Sequence, residues 1–180
     1  MKKMMLCAMA AMMSVAAIAQ ETEQKKDSAE GFQFTTVDSV AITPVKNQKN
    51  AGTCWCYSGM SFLESEAIKK TGKVYDFSEM FVVEKTYLDR ADKAVRMHGD
   101  VSFSQGGSFC DVIYCLRNYG LIPDAEMPAG AMYGDSLSNH RELSNMTDPL
   151  VKAAASAQKL QYSPDGEPLW KKAVRAVHEI

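Results

Sequence analysis

Residues 44–55 have the types and spacing of a nucleophilic site. The run reads P-V-K-N-Q-K-N-A-G-T-C-W, and a helical pattern replaces the polar, turn-forming residues at Cys54. A cysteine in the first turn of a helix lies beside unpaired backbone N–H groups and the positive end of the helix dipole, which favour a thiolate. The thiolate is the nucleophilic form of the side chain. The pattern therefore predicts that Cys54 is a nucleophile.

Gln48 lies six residues before this cysteine. Its side-chain amide could donate an N–H to a developing oxyanion, next to the backbone N–H of Cys54. Each residue alone also fits a structural role, Cys54 as a half-buried thiol and Gln48 as a surface loop residue. Their spacing favours a nucleophile paired with an oxyanion hole.

Apolar periodicity predicts five helices that would position these residues. The predicted starts, in chain order, are Cys54, Ser78, the residue after Gly107, Asp148 and Pro168. Ser78 has the hydroxyl of a good N-cap, and the proline after Asp148 suits a first helical position. The fourth helix is expected to run to about residue 160.

These elements divide the chain into four predicted segments. Residues 1–19 form a signal peptide, 20–42 a polar leader with an extended segment, 43–125 a helical nucleophile domain, and 126–180 a loop and helical insertion. Residues 1–19 contain two lysines, an apolar run and an A-I-A cleavage site. The run is too short for a stable membrane span. We therefore expect export through a cleavable signal peptide, to the periplasm or the medium.

Composition narrows the class of protein. Hydrophobic residues make up 46% and charged residues 23% of the 180 residues, and the formal net charge is −2. These values are typical of a globular protein with a core. The chain has no basic stripe with interleaved aromatic residues, so we expect no nucleic-acid partner. No motif predicts a metal or another cofactor.

Four cysteines follow the predicted signal peptide. Cys54 and Cys56 are too close to bridge on a helix, and Cys110 and Cys115, five residues apart on a predicted helix, point away from each other. We predict that three of the four are small buried hydrophobic residues and that Cys54 is the exception. The alternative is a redox or metal site at Cys54 and Cys56, although the spacing is not C-x-x-C and no histidine is nearby.

The run N-Q-K-N-A-G-T-C-W-C-Y-S at residues 47–58 resembles the active-site segment of papain-like cysteine peptidases. Residues 77–79, F-S-E, are similar to a helix start of that family. Residues 104–107, S-Q-G-G, look like its Cys-x-Gly-Gly loop, whose glycine backbone pairs with substrate. The resemblance implies an α+β fold, represented here by its N-terminal, mainly helical half with a helical insertion. It also implies roles for the following residues: Cys54 as nucleophile, Gln48 in the oxyanion hole, and Gly106, Gly107 and Trp55 in binding a peptide substrate.

Two departures from the family pattern occur together. Secreted members usually carry a disulfide between cysteines at the positions of Ala51 and Ser104. The chain resembles the bleomycin hydrolase and aminopeptidase C branch in three features: the absence of these two cysteines, the K-N-x-G-x-C-W run and the G-L-I-P run at 120–123. That branch carries helical insertions and often forms closed rings. The resemblance therefore implies aminopeptidase activity without a cofactor, and a homo-oligomer.

The family's catalytic histidine and asparagine have no counterpart in the expected place. They lie roughly 130–150 residues beyond the cysteine, which is past residue 180. We expect His98, His140 and His178 to be surface or loop residues. The sequence thus predicts a fragment cut off at its C-terminus, inactive without its missing catalytic half. The alternative is a non-catalytic module that binds peptides or a partner chain.

Overall fold

The computed structural model describes residues 32, 34–131, 134 and 137–178. The predicted signal peptide and residues 20–31 of the leader lie outside these ranges. The chain divides into two compact units, Met1–Ser39 and Val40–Ile180. The described residues of the first unit form neither helix nor strand.

The described part of the second unit is mainly helical. Its helices are α1 (Cys54–Thr71), α2 (Glu79–Arg96), α3 (Phe109–Asn118), α4 (Arg141–Ala155) and α5 (Leu169–His178), with a 3₁₀ turn at Asp124–Glu126. The β-structure of these residues consists of isolated bridges, such as the one between Asn50 and Asn139. Among the residues that the structure describes, no helix is long and apolar enough to cross a membrane.

Helix α2 lies between two hydrophobic clusters. One face packs on α1 and α3 through Trp55, Cys56, Met60, Met80, Val82, Val83, Tyr87, Val112 and Cys115. The other face packs on α4 and α5 through Ala91, Ala94, Val95, Val151, Ala154, Ala155 and Val174. The helix that carries Cys54 is therefore fixed on the same central element as the C-terminal helices.

Four of the five predicted helix starts are confirmed. Helix α1 begins at Cys54, and α2 begins after Ser78, whose hydroxyl accepts a hydrogen bond from the backbone N–H of Phe81 over 3.1 Å. Helix α3 follows the glycine pair, and α5 begins at Leu169. Local capping and apolar spacing were sufficient at these positions.

The predicted start of the fourth helix at Asp148 is wrong. Helix α4 begins at Arg141 and contains Pro149 in its interior, and it ends at Ala155 rather than near residue 160. Pro149 cannot donate to the carbonyl of Asn145, but both residues are exposed, so water can satisfy that carbonyl. The boundary predicted at residue 125 stays a prediction.

A buried carboxylate attaches two loops to α1. Glu64 is 1% exposed and accepts hydrogen bonds from the Thr43 hydroxyl and, over 2.9 Å, from the backbone N–H of Phe77. Thr43 begins the segment that carries Gln48, and Phe77 precedes α2. These two hydrogen bonds to Glu64 therefore fix the segment that leads to the predicted nucleophile.

Candidate active site

Cys54 is exposed at the first residue of α1. The carbonyl of Thr53 accepts the backbone N–H groups of Cys56 over 2.8 Å and of Tyr57 over 3.2 Å. The backbone N–H of Cys54 has no acceptor among the residues that the structure describes. The thiol and an unpaired N–H donor therefore lie together at the positive end of a helix 18 residues long.

Gln48 and Cys54 line the same cavity, which has a volume of about 310 Å³. The side-chain nitrogen of half-buried Gln48 donates a hydrogen bond to the carbonyl of Ala51 over 2.7 Å. This bond holds the amide within the turn that precedes the nucleophile. An amide nitrogen carries two hydrogens, so one N–H remains for an oxyanion in the cavity.

Lys46 fixes the segment on the other side of Gln48. Its ammonium lies 2.6 Å from a carboxylate oxygen of Asp76 and 3.0 Å from one of Glu79, and it donates to the carbonyl of Phe77. Burial alone would lower the pKa of Lys46, but its bonds to Asp76 and Glu79 raise that pKa above the usual value. Lys46 therefore stays charged and attaches the Gln48 segment to the start of α2.

Trp55 is buried, with 7% of its surface exposed. It supports residues 104–107, the glycine loop. Its indole nitrogen donates to the backbone carbonyl of Gln105 over 2.9 Å. A side-chain carbon at Gly107 would come within 2.6 Å of the indole ring, which no real contact allows. Glycine is required at this position because the loop backbone rests directly on the ring.

The two glycines differ in their surroundings. A side-chain carbon at Gly106 would meet nothing closer than the Ser104 hydroxyl at 3.9 Å. Both glycines are exposed, and the backbone N–H and C=O of Gly107 form no hydrogen bond to any described residue. The backbone N–H and C=O of exposed Gly107 are therefore available to a ligand.

The burial of the other three cysteines differs in part from the prediction. Cys56 and Cys115 are fully buried as predicted, but Cys110 is exposed because it lies on the outer side of the first turn of α3. Burial raises the pKa of the Cys56 thiol, and burial raises that of Cys115 to about 11. A buried thiol that resists ionisation is a poor partner for exposed Cys54, which counts against the redox alternative.

One of the three histidines contradicts the expectation that each would be a surface or loop residue. His178 is buried within α5, whereas His140 lies in the loop before α4, although it is buried there, and His98 is exposed. Both buried histidines pack against the ring of Tyr87. His140 and His178 line a separate cavity of about 330 Å³, and none of the three lines the cavity of Cys54. The structure therefore brings Cys54 together with Gln48 but with no histidine.

Sequence reasoning missed Arg90, which contacts the glycine loop, and Gln105, which is part of that loop. Gln105 lies inside the S-Q-G-G run, and this placement was an available signal. Arg90 is one of several charged residues on α2 and has no distinguishing neighbour in the sequence. The described residues contain no group of three or more histidine, cysteine or acidic side chains arranged to hold a metal ion.

Comparison with known proteins finds similarity to cysteine proteases. Residues 29–109 match the family model of papain family cysteine proteases. Chymomexicain of Jacaratia mexicana is 34% identical over 91 residues, which cover 51% of this chain and 37% of that protein. Cathepsin L2 of Homo sapiens is 46% identical over 43 residues, covering 24% and 13% respectively. A cathepsin L-like peptidase of Aedes aegypti is 43% identical over 53 residues, covering 28% and 16%.

The relatives are papain-like and cathepsin L-like proteases, and the residues matched by the family model include the Cys54 segment and the glycine loop. The described chain is mainly helical with little strand, which is consistent with the N-terminal, helical part of a papain-like fold. The matches to these three relatives cover between 13% and 37% of their lengths.

Proposed function

We propose that this chain carries the nucleophile and the oxyanion hole of a cysteine peptidase. The observation that supports this most directly is the shared cavity of Gln48 and exposed Cys54 at a helix start. The Cys54 thiolate would attack a peptide carbonyl and form a carbon–sulfur bond. The second N–H of Gln48 and the backbone N–H of Cys54 would bind the resulting oxyanion.

Collapse of this intermediate expels the amine once it is protonated, and leaves a thioester on Cys54. Water then hydrolyses the thioester, which releases the acid and regenerates the thiol. Both steps need a proton carrier, which in such enzymes is a histidine. Since no histidine of this chain lines the Cys54 cavity, the carrier would come from outside the chain. Loss of one member of a catalytic unit removes most of the rate, so the chain alone would turn over amides very slowly.

The finer assignment is an exported aminopeptidase of the bleomycin hydrolase and aminopeptidase C branch. The K-N-x-G-x-C-W run and the G-L-I-P run at 120–123 support it, as do Ala51 and Ser104 in place of the paired cysteines. The structure adds α4 and α5 after this region, where that branch carries helical insertions. The partners would be a peptide substrate, a catalytic half that supplies the histidine, and further copies in a homo-oligomer.

A second candidate is a non-catalytic module that binds peptides. The absence of a histidine from the Cys54 cavity favours it. Such a module would use the free backbone groups of Gly107 but would not need a reactive thiol. The two candidates therefore differ in the chemistry of Cys54 and not in whether a peptide binds.

Acylation by an aminoacyl p-nitrophenyl ester distinguishes the peptidase from the non-catalytic binding module. The p-nitrophenolate leaving group needs no proton, so a thiolate held beside an oxyanion hole can be acylated without histidine. We expect the acyl mass on Cys54, with Cys110 acylated much more slowly. Cys110 is the matched control because it too is an exposed thiol in the first turn of a helix.

Three variants complete this experiment. Cys54→Ser should abolish the fast acylation, Cys110→Ser should keep it, and Gln48→Ala should slow it by roughly tenfold or more. Equal acylation of Cys54 and Cys110 would contradict the peptidase proposal and favour the binding module. Measurable turnover of an aminoacyl coumarin amide by the chain alone would contradict an external proton carrier.

A further inference from the structure

The glycine loop is held to the nucleophile segment by few contacts of its own. The side-chain oxygen of Gln105 accepts a hydrogen bond from the backbone N–H of Gly52 over 2.7 Å. The backbone carbonyl of Gln105 accepts a hydrogen bond from the indole N–H of Trp55. Gly106 and Gly107 carry no side chains that could fix the backbone. A further group must therefore hold the loop if the free N–H and C=O of Gly107 are to keep one orientation.

Arg90 on α2 is that group. One of its terminal nitrogens donates to the carbonyl of Ser104 over 3.2 Å and also to the carbonyl of Gly106. The other lies 3.0 Å from a carboxylate oxygen of Asp111. The guanidinium therefore contacts both the loop and the first turn of the helix that follows it.

The same side chain also contacts the nucleophile helix. The guanidinium carbon lies 5.0 Å from the centre of the Trp55 ring, within the range of a cation–π contact. The Arg90 side chain is 14% exposed, so these bonds are largely shielded from water. A side-chain carbon at Gly107 would overlap the guanidinium as well as the indole, so glycine is needed for both contacts.

Asp111 completes the arrangement from the other side. Its carboxylate accepts the backbone N–H of Ser108 over 2.7 Å, which caps α3, and it neutralises Arg90 at the same time. The planar guanidinium can bind carbonyls and a carboxylate while it stacks on a ring, whereas a lysine ammonium cannot do all three. The contacts therefore require arginine and not merely a positive charge.

We propose that Arg90 is a positioning residue of the substrate cleft, which holds Ser104 and Gly106 by their carbonyls so that Gly107 presents its backbone N–H and C=O to an extended peptide. The inference rests on the proposed function, since it names the group that orients the peptide-binding edge of that site. Arg90 itself touches neither Cys54 nor the reacting carbonyl. Its effect is therefore on recognition of the peptide and not on the reactivity of the thiol.

Two electrophiles that react with the Cys54 sulfur test whether Arg90 affects recognition of the peptide and not the reactivity of the thiol. A dipeptidyl chloromethyl ketone must use the peptide-binding edge, whereas iodoacetamide needs only the thiolate. In each reaction the Cys54 sulfur bonds to the methylene carbon and a halide leaves. The second-order rates at Cys54 are measured by mass spectrometry for the wild type, Arg90→Met, Arg90→Lys and Arg96→Met. Arg96 is the matched control because it lies on α2 with its side chain 78% exposed.

We expect Arg90→Met to slow the dipeptidyl reaction by about tenfold, as loss of charge-assisted hydrogen bonds would. The iodoacetamide rate should stay within about twofold, Arg90→Lys should be intermediate, and Arg96→Met should match the wild type. Amide hydrogen exchange over residues 104–107 should speed up in Arg90→Met. If circular dichroism shows that Arg90→Met does not fold, Arg90→Lys decides the same comparison.

The possible failures are distinct. A wild type that shows no preference of the dipeptidyl reagent for Cys54 over Cys110 would overturn the proposed function, and this inference with it. A wild-type preference that persists unchanged in Arg90→Met and Arg90→Lys, with unchanged hydrogen exchange, would overturn the role of Arg90 alone. An equal fall in both rates would also overturn it, because the thiol and not the peptide-binding edge would then depend on Arg90.

Discussion

The side-chain oxygen of Gln105 accepts a hydrogen bond from the backbone N–H of Gly52, with 2.7 Å between the two atoms. The nitrogen of the same amide donates to the Ser144 hydroxyl over 2.6 Å. One side chain therefore joins the glycine loop, the turn before Cys54 and helix α4. The position of the glycine loop relative to the turn before Cys54 depends on this side chain, because the loop and the turn come from separate parts of the chain.

Replacement of Gln105 by alanine should remove the hydrogen bonds that connect the glycine loop to the turn before Cys54 and to α4. Gly52 and Ser144 would each lose a partner, and we expect the free energy of unfolding to fall by about 1–3 kcal/mol. Urea denaturation followed by circular dichroism measures the change. Gln161→Ala is the control, because Gln161 is exposed and its side chain forms no hydrogen bond to another described residue. An equal loss in both variants would show that the bonds of Gln105 add no stability.

The two glycines of the loop should respond differently to alanine. Gly107→Ala places a side-chain carbon within 2.6 Å of the Trp55 ring, whereas Gly106→Ala meets nothing within 3.9 Å. We expect Gly107→Ala to cost roughly 1–3 kcal/mol of stability and Gly106→Ala to cost less than about 1 kcal/mol. Thermal unfolding of the two variants side by side measures this difference. Similar melting temperatures would contradict the close packing of the loop on Trp55.

Glu64→Ala should destabilise the segment that carries Gln48. The change leaves the Thr43 hydroxyl and the Phe77 N–H without their buried acceptor, at a cost on the order of 2 kcal/mol. Glu66→Ala, two residues away on an exposed side of α1, should have little effect. Chemical denaturation gives both values. A Glu64→Ala chain as stable as the Glu66→Ala chain would show that Glu64 does not fix these loops.

Stability should fall as the pH is lowered from about 6.5 to about 4. Burial, followed by the neighbouring charge of His140, lowers the pKa of His178 from 6.5 to about 4, and burial also lowers the pKa of His140. Between these pH values the unfolded chain binds protons that the folded chain does not bind, so acid favours unfolding. Above the unfolded pKa both states are neutral and the effect of His178 disappears. Its contribution across this range is on the order of 3 kcal/mol.

Denaturation midpoints measured from pH 4 to 7.5 test this dependence. His178→Leu should flatten the curve, because it removes the proton-binding group and keeps an apolar side chain against Tyr87. His98→Asn is the control, since His98 is exposed and asparagine tolerates its positive φ of 52°. A slope that is unchanged in His178→Leu would rule out this histidine as its source.

The helix starts could be read from the sequence because their signals are local. The hydroxyl of Ser78 and the apolar spacing after Cys54 act within one or two turns of the chain. The start of α4 could not be read in this way. Pro149 is a strong local signal for a first turn, but tertiary packing of Leu143 and the buried Thr147 extends the helix before the proline. An exposed proline removes only one hydrogen bond, and packing outweighs that loss.

The residues of the site also differ in whether their partners are close in the sequence. Gln48 and Cys54 were recognisable because they lie only six positions apart in one segment. The contact of Arg90 with Gly106 spans 16 residues, and that of Gln105 with Gly52 spans 53. Such contacts depend on how α2 and the loop are packed, which one sequence does not reveal. The burial of His140 and His178 likewise depends on the docking of α4 and α5 beside Tyr87.

The most direct test of the central claim compares two exposed thiols of the same chain. A limiting amount of a dipeptidyl chloromethyl ketone is added to the chain, and the labelled fractions of Cys54 and Cys110 are measured by peptide mapping. The labelled fractions with iodoacetamide correct for the intrinsic reactivity of each thiol. If Cys54 is a peptidase nucleophile beside a peptide-binding loop, its corrected labelling should exceed that of Cys110 by at least about tenfold. Equal corrected labelling of the two cysteines would contradict the account.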